Sequence, residues 1–353
     1  MKVILTAGGT GGHIYPAMAV AEELRHQNPD INILWVTTCR SNEADIAKRY
    51  GIDMLSLEVE GIQRRFSLQP VRAVVKLLRS MIYMNAFLKK NKVQAVIAFG
   101  GYVCAPVLFA ARHNKIPYYI QEQNTVAGIV NKFFFKGAER VFLGMPLVGS
   151  AIISGTPTRK KSDYGNYVFP QEVKTGRRTV LICGGSQGAA SMNKVLIKAV
   201  RWLSENGYQI VWQTGDAGEE EIKSEFAGDE NVTVRAFLED LYPYYSIAEI
   251  LIGRSGAGTI SEAKIFSLPA ILIPLPWSAE NHQWHNAGYA QDNGSAVRVE
   301  QNGETSDRVI EIIKSGRLKK LPPETGRNAA EIIVDILHND ANFALSSGRR
   351  QRN

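Results

Sequence analysis

Two stretches of this chain could hold a phosphate by backbone alone. Val3-Ile4-Leu5-Thr6-Ala7 runs into Gly8-Gly9-Thr10-Gly11-Gly12-His13. Half a chain later, Val180-Leu181-Ile182-Cys183 runs into Gly184-Gly185-Ser186-Gln187-Gly188-Ala189-Ala190. Each is a short apolar strand feeding a Gly-Gly-hydroxyl turn that opens a helix, so that backbone N–H groups converge on an anion. A third turn, Gly256-Ala257-Gly258-Thr259, follows the strand-like Ile250–Gly253. Ile260-Ser261-Glu262 reads as the first turn of its helix, whose partial positive charge suits a diphosphate. Glu262 is then placed to accept both hydroxyls of an attached ribose. For an isolated glutamate there, offsetting the helix dipole would be the favoured task; the glycine turn before it favours a ligand role.

The spacing disfavours two common phosphate binders. A dinucleotide fingerprint needs a third glycine and an acid at the end of the second strand. Here Gly9-Thr10-Gly11-Gly12-His13-Ile14 lacks that glycine, and the second strand ends Val36-Thr37-Thr38-Cys39-Arg40 without an acid. None of the turns contains the Gly-Lys-Ser/Thr of a P-loop. No acidic pair in a turn is placed to hold a metal on the diphosphate. His282 and His285 have no partners nearby to complete a metal set and read as loop histidines.

The elements that must position these turns alternate. Strand-like segments at Val3–Ala7, Ile33–Thr37, Met54–Val59, Ala95–Phe99 and Tyr118–Gln121 are interleaved with helical ones at Ile14–Asn28, Asn42–Tyr50 and Pro70–Lys90. The second half repeats the pattern at Thr179–Cys183, Ile210–Thr214, Val232–Val234, Ile250–Gly253 and Ala270–Pro274, with helices at Ser191–Asn206 and Thr259–Phe266. Such alternation predicts α/β domains with parallel sheets. Gly155–Arg178 lacks sustained periodicity and reads as linker. Arg327–Leu337 is an amphipathic helix, and Ser346–Asn353 reads as a disordered tail.

At 353 residues the chain suits two domains, and its 45% hydrophobic, 21% charged composition is that of a soluble globular protein. No run approaches a membrane span, and the apolar run after Met1-Lys2 is too short for a signal peptide. Cys39, Cys104 and Cys183 are scattered and fit reduced thiols in a cytoplasmic setting. The net charge of +7 is uneven: Gly61 to Gln121 holds no Asp or Glu but ten Lys/Arg, among them Arg64, Arg65, Arg72, Lys76 and Arg79. Anionic partners follow, whether nucleic acid, lipid headgroups or diphosphates.

Seven motifs in order carry a resemblance. They are Gly8-Gly9-Thr10-Gly11-Gly12-His13, Gly100-Gly101-Tyr102, Gln121-Glu122-Gln123-Asn124, Gly155-Thr156-Pro157-Thr158-Arg159, Gly184 to Ala189, Ser255-Gly256-Ala257 to Glu262, and His282-Gln283 with Asn286-Ala287. Together they resemble the MurG family of bacterial glycosyltransferases, glycosyltransferase family 28, from residue 1 to about 340. The resemblance implies a GT-B fold, two Rossmann-like parallel-sheet domains with a cleft between them. It implies an acceptor and membrane-binding domain over 1–160, a linker over 161–178 and a UDP-N-acetylglucosamine domain over 179–325. A C-terminal helix in 326–345 would pack back towards the first domain, ahead of the tail at 346–353.

The implied reaction moves N-acetylglucosamine from its UDP conjugate to the C4 hydroxyl of undecaprenyl-diphospho-N-acetylmuramoyl-pentapeptide (lipid I), with inversion and no cofactor, in peptidoglycan synthesis at the cytoplasmic face of the membrane. By position, Ser186, Gln187 and Gly188 would serve the donor phosphates, with Ala257, Gly258, Thr259, Ile260 and Ser261 completing that site, and Asn193 is a further substrate-binding candidate. Glu262 would bind ribose, the Leu238 backbone uracil, and Gln283 the sugar. His282 stands where a glutamine is often seen. Asn124 and Arg159 would position donor and acceptor. Thr10, Gly11 and Gly12 would face the acceptor diphosphate. His13 leads as the base for the C4 hydroxyl, with Glu122 and Tyr102 as alternatives; it could instead only donate to the acceptor diphosphate.

Val71, Val74, Val75, Leu78 and Ile82 form one stripe of the third predicted helix, widened by Leu77, Met81, Met84 and Leu88, with Arg72, Lys76, Arg79 and Tyr83 adjoining. This is either a thoroughly buried helix or a surface that enters anionic lipid. Two rival functions remain. A UDP-N-acetylglucosamine 2-epimerase shares the fold, but its catalytic acids are not evident. A basic nucleic-acid-binding protein would need aromatic RNA motifs or a helix-turn-helix, which are lacking.

Overall fold

The computed structural model describes residues 1–38, 40–59, 69–147, 151–159, 170, 172–174, 176–185, 189–320, 326–340 and 343. Cys39, Arg64, Arg65, Ser186, Gln187, Gly188, the linker residues 161–169 and the tail 346–353 lie outside them, as does the side chain of Val71. The chain divides into two compact units: Met1–Thr158 with the segment from Arg327 onwards, and Arg159–Gly326.

In the first unit, seven parallel strands lie in the order β3-β2-β1-β4-β5-β6-β7. They are β1 (Lys2–Ala7), β2 (Asn32–Thr37), β3 (Asp53–Ser56), β4 (Ala95–Gly100), β5 (Tyr118–Glu122), β6 (Arg140–Leu143) and β7 (Ile152–Ile153). The helices are α1 (Gly11–Gln27), α2 (Ser41–Arg49), α3 (Gln69–Lys90), α4 (Cys104–His113) and α5 (Ile129–Phe134). β4 is an unbroken apolar run and β1 is buried from Val3 to Ala7, because helices cover both sheet faces. One core packs Leu5, Ile33, Ile97 and Phe99 against α1 through Met18 and Leu24. The opposite core packs Ile4, Val96 and Ile120 against α3 and α4 through Met84, Leu88 and Val107.

The second unit has six parallel strands in the order β10-β9-β8-β11-β12-β13. They are β8 (Arg178–Cys183), β9 (Tyr208–Gln213), β10 (Val232–Arg235), β11 (Ile250–Gly253), β12 (Ala270–Leu272) and β13 (Ala296–Arg298). The helices are α6 (Ala190–Glu205), α7 (Glu219–Glu225), α8 (Tyr242–Ile247), α9 (Ala257–Ile265), α10 (His282–Asp292) and α11 (Thr305–Lys314). Glu172–Lys174, a described stretch of the expected linker, is tied into this unit. The Tyr244 hydroxyl donates to Glu172 at 2.7 Å, and Gln209 Nε2 donates to the Lys174 carbonyl at 2.8 Å.

Helix α12 (Ala329–Asn339) belongs to the first unit. A capping box starts it: the Asn328 side chain accepts from Ala330 N–H at 2.8 Å, and Glu331 accepts from Asn328 N–H. Its buried Ala330, Ile333, Val334 and Leu337 join the core beneath α1. Asn328 Nδ2 also donates to the Thr158 carbonyl at 3.0 Å.

Counted from its own first strand, each sheet has the order 3-2-1-4-5-6, and the first sheet adds β7 beyond β6. Chain direction across the sheet therefore reverses between β1 and β4, and again between β8 and β11. In open parallel sheets the crevice beyond the strand ends at such a switch point is where ligands bind.

Candidate functional site

Each switch point receives two of the glycine turns. In the first unit the Gly8 turn follows β1 and the Gly100-Gly101 turn follows β4. Gly8 N–H donates to the Gly100 carbonyl at 3.3 Å, and a Cβ on Gly101 would lie 2.4 Å from the Gly8 carbonyl oxygen, so no larger residue fits. Helix α1 starts at Gly11, capped by extended Thr10, which puts His13 in its first turn. His13 Nδ1 lies 3.1 Å from the Gly8 carbonyl oxygen and 3.5 Å from Thr10 Oγ1. A carbonyl only accepts, so Nδ1 carries the proton and the neutral ring has its lone pair on Nε2. The ring rests against Gly100: a Cβ there would stand 2.8 Å from Cδ2 and 3.0 Å from Nε2.

The alternatives to His13 differ sharply. Glu122 is buried, and four donors saturate its carboxylate: Asn124 N–H (3.0 Å) and Nδ2 (3.1 Å) on Oε1, Gly128 N–H (3.0 Å) and Asn131 Nδ2 (2.9 Å) on Oε2. This is a scaffold for the loop 124–131, and a carboxylate so occupied is not offered to a substrate hydroxyl. Asn124 is consequently held by Glu122. Tyr102, by contrast, is 52% exposed beside the second glycine turn.

In the second unit a Cβ on Gly253 would lie 2.6 Å from the Cys183 carbonyl oxygen, the same close approach at the other switch point. Helix α9 begins at Ala257, capped by extended Gly256, and its first i to i−4 bond is Ile260 N–H to Gly256 O. The N–H groups of Ala257, Gly258 and Thr259 therefore form the open helix end. Glu262 lies one turn deeper than its expected place in the first turn, because the helix starts directly after the glycine. That removes dipole compensation as its task. Ala257 and Ile260 bury their side chains, so only their backbones are available to a ligand.

Glu262 accepts a hydrogen bond from the Tyr245 hydroxyl at 3.1 Å. Burial raises its carboxyl to about 7; the Tyr245 bond and the charge of Arg159 act in the other direction, and Asp240 adds to the rise. Arg159 donates to Asp240 Oδ1 at 2.9 Å and lies 4.6 Å from the centre of the Tyr242 ring.

Two expected contacts change in kind. Leu238 N–H donates to Gln213 Oε1 at 3.0 Å, so a base contact at Leu238 would use its carbonyl oxygen. Gln283 Oε1 accepts from Leu275 N–H at 2.9 Å, which leaves donation from Nε2 as its means of holding a sugar. The Ser255 hydroxyl donates to the Gln283 carbonyl, and Asn286 Nδ2 to the Ser255 carbonyl, tying α10 to the α9 turn. His282 donates from Nδ1 to the Ala279 carbonyl at 2.8 Å, a locally satisfied loop histidine. Asn193 does not belong with the ligand contacts. It is buried, its Nδ2 donating to the Thr214 carbonyl (2.9 Å) and its Oδ1 accepting from Trp212 Nε1 (3.2 Å). The turn that precedes α6, at Ser186 to Gly188, lies outside the described residues.

Arg254 is a residue the motifs did not single out. It is buried, and its guanidinium donates to the carbonyls of Ile273 (3.0 Å) and Pro274 (3.1 Å) and to Ser191 Oγ (3.1 Å). Burial lowers it to about 10, which leaves it charged at neutral pH. Among the described residues no carboxylate pairs with it. An arginine set directly after an all-apolar strand, inside a glycine turn, was the signal available. Cys104 and Cys183 are buried thiols at the two crevices, pushed up by burial to about 11 and about 12.

Helix α3 is not thoroughly buried. Ala73, Met84 and Leu88 face the core, while Val74, Val75, Leu78 and Tyr83 are exposed and Ile82 is 73% exposed. Arg72 and Arg79 are exposed with them, whereas Lys76 pairs with Glu58 at 3.7 Å. Ile129 and Phe133 of α5 add further exposed apolar surface. Among the described residues, no helix is long and apolar enough to cross a membrane.

Residues 3–143 match the glycosyltransferase family 28 N-terminal domain, and residues 179–339 match the family 28 C-terminal domain. A Halalkalibacterium halodurans protein named UDP-N-acetylglucosamine--N-acetylmuramyl-(pentapeptide) pyrophosphoryl-undecaprenol N-acetylglucosamine transferase is 33% identical, over 96% of this chain and 98% of its own. A Bacillus subtilis protein of the same name is also 33% identical, over 89% of this chain and 90% of its own. The crystal structure of Acinetobacter baumannii MurG superposes with a TM-score of 0.75 at 28% identity, over 96% of this chain and 99% of that one. A UDP-GlcNAc 2-epimerase from Neisseria meningitidis, at 16% identity and a TM-score of 0.68, covering 96% of this chain and 100% of its own, shares the fold alone. The chain belongs to glycosyltransferase family 28.

Proposed function

We propose that this protein transfers N-acetylglucosamine from UDP-N-acetylglucosamine to the C4 hydroxyl of undecaprenyl-diphospho-N-acetylmuramoyl-pentapeptide, inverting the anomeric centre. The observation that carries this reading is the full-length match, at 33% identity, to transferases named for these substrates. The second unit is the donor unit. Its open α9 N-terminus and the buried charge of Arg254 favour a diphosphate, and stabilise it further as negative charge grows on departing UDP. Glu262 takes the ribose hydroxyls, the Leu238 carbonyl the uracil and Gln283 Nε2 the sugar. Arg159, set by Asp240 and Tyr242, adds positive charge on that side. Ser186, Gln187 and Gly188 belong to the same phosphate turn by motif.

The first unit takes the acceptor. Gly11 and Gly12 present the N–H groups at the start of α1 to the acceptor diphosphate, with Thr10 and Asn124 alongside. His13 accepts the C4 hydroxyl proton on Nε2 as the oxygen attacks the anomeric carbon. Its Nδ1–H bond to the Gly8 carbonyl supports the imidazolium that forms. Tyr102 flanks this turn. The exposed apolar face of α3, with Arg72 and Arg79 beside it, rests on anionic lipid and brings the enzyme to a polyprenyl acceptor at the cytoplasmic surface.

Incubation with labelled UDP-N-acetylglucosamine and a short-chain lipid I analogue should give a labelled disaccharide lipid with β linkage. Epimerised nucleotide sugar without transfer would contradict the assignment.

A further inference from the structure

Tyr245 belongs to none of the seven motifs, yet it holds Glu262. Its ring is buried between Tyr242, edge-on at 6.2 Å, and Phe266, stacked at 5.7 Å. The phenol cannot swing away without opening that packing. Its hydroxyl donates to Glu262 Oε2, and among the described residues this is the only hydrogen bond to that carboxylate. A glutamate side chain has three rotatable bonds, and two vicinal hydroxyls are recognised well only by a carboxylate fixed in one orientation.

We propose that Tyr245 is a positioning residue for nucleotide recognition, pinning Glu262 through Oε2 so that its remaining lone pairs meet the ribose hydroxyls of a uridine diphosphate donor. This rests on the ribose role given to Glu262 above. The charged and titratable groups around the carboxyl are few: Arg159, Asp240, the phenol itself and the neighbouring Cys183 thiol, which burial keeps neutral. The Tyr245 bond opposes the effect of burial on Glu262. Its loss would leave the carboxyl protonated to higher pH, with one fewer acceptor for the sugar.

The test compares UDP with 2′-deoxy-UDP by calorimetry at pH 8, where the terminal phosphates match. The wild type is expected to prefer UDP by about tenfold or more, the scale of a hydrogen bond to a charged group. Tyr245→Phe should lose most of that preference, approaching Glu262→Gln, while 2′-deoxy-UDP affinity changes by less than about twofold. An unchanged preference overturns the proposal, and so does an equal loss for both ligands, which marks a merely structural residue. A wild type indifferent to the 2′-hydroxyl removes the ribose role of Glu262, and the proposal with it. Should Tyr245→Phe not fold, 3-fluorotyrosine placed at position 245 is nearly isosteric and a stronger donor. It should lower the pH at which UDP-N-acetylglucosamine affinity is half-maximal; an unmoved midpoint overturns the proposal.

Discussion

At the first switch point a Cβ on Gly101 would lie 2.4 Å from the Gly8 carbonyl oxygen; at the second, a Cβ on Gly253 would lie 2.6 Å from the Cys183 carbonyl oxygen. A buried cysteine sits beside each, and each crevice is closed by a helix that starts at a glycine turn. The furnishing differs. The first crevice carries a histidine oriented by a carbonyl, with a polar, partly open turn around it. The second carries a buried arginine fixed by two carbonyls and a hydroxyl, and a glutamate held by a buried phenol. Topology supplies the crevice; on the proposed reading, a handful of side chains decide whether it binds a leaving group or receives a proton.

The comparison breaks most easily at His13. His13→Ala should lower kcat by about a hundredfold or more, the usual weight of a general base, with the KM for UDP-N-acetylglucosamine little changed. Steady-state kinetics in both substrates checks this. An unchanged kcat would leave the first crevice without a chemical role.

Gly100→Ala should follow. Its φ of +114° and the 2.8 Å approach to the His13 ring penalise a methyl group twice. A loss of about tenfold in kcat is expected, with local strain of about 1–3 kcal/mol visible as a lower melting temperature. On the His13→Ala background the same change should cost no further kcat. An additional loss there would mean that Gly100 acts on something other than the ring.

The second crevice should respond to pH in donor binding. Burial raises the Glu262 carboxyl to about 7, and ribose hydroxyls donate best to its ionised form. Affinity for UDP-N-acetylglucosamine, whose doubly esterified diphosphate does not titrate near neutrality, should therefore rise as pH increases from 6 and level off above 7. The slope is at most about tenfold per pH unit. The stability effect has the opposite sign. A carboxyl raised in the fold contributes stability that is present below its unfolded value of 4.5 and lost as pH rises through about 7. Glu262→Gln should flatten both profiles, followed by calorimetry and thermal melts. A binding profile that keeps its slope in this variant would assign the titration elsewhere.

The smallest effect lies outside both crevices. Ile82→Ser should weaken sedimentation with anionic vesicles by roughly tenfold, the transfer free energy of one large aliphatic side chain. Turnover on a water-soluble acceptor analogue should be unaffected. Equal binding of both proteins would take α3 out of the membrane contact.

How much was legible follows from what each residue depends on. The strands β1, β4, β8 and β11 are short apolar runs ending in glycine turns, and local composition is enough to find them. The helices α4, α5, α7, α8, α10 and α11 and the strands β6, β7 and β13 escape a local reading, because they are short or lie in mixed polar segments. Glu262 was found by its distance from a glycine turn but placed one turn too early, since only the cap geometry of Gly256 sets the helix start. Asn193 and Glu122 looked like ligand or catalytic groups because they stand in or beside motifs. Their hydrogen bonds to Thr214, Trp212, Gly128 and Asn131 come from chain segments that no local pattern connects. Tyr245 and Arg254 were missed for the same reason: their importance lies in tertiary partners. The exposed face of α3 needed the packing of Met84 and Leu88 to show which side of an apolar helix is covered.

The division of labour between the crevices is tested most directly by titrating UDP into His13→Ala and Glu262→Gln side by side, and measuring kcat of each at saturating donor. His13→Ala should bind UDP as the wild type does while kcat collapses. Glu262→Gln should bind UDP at least about tenfold more weakly while retaining most of its kcat. If both variants lose the same quantity, whether binding or turnover, the two crevices do not divide the reaction as described.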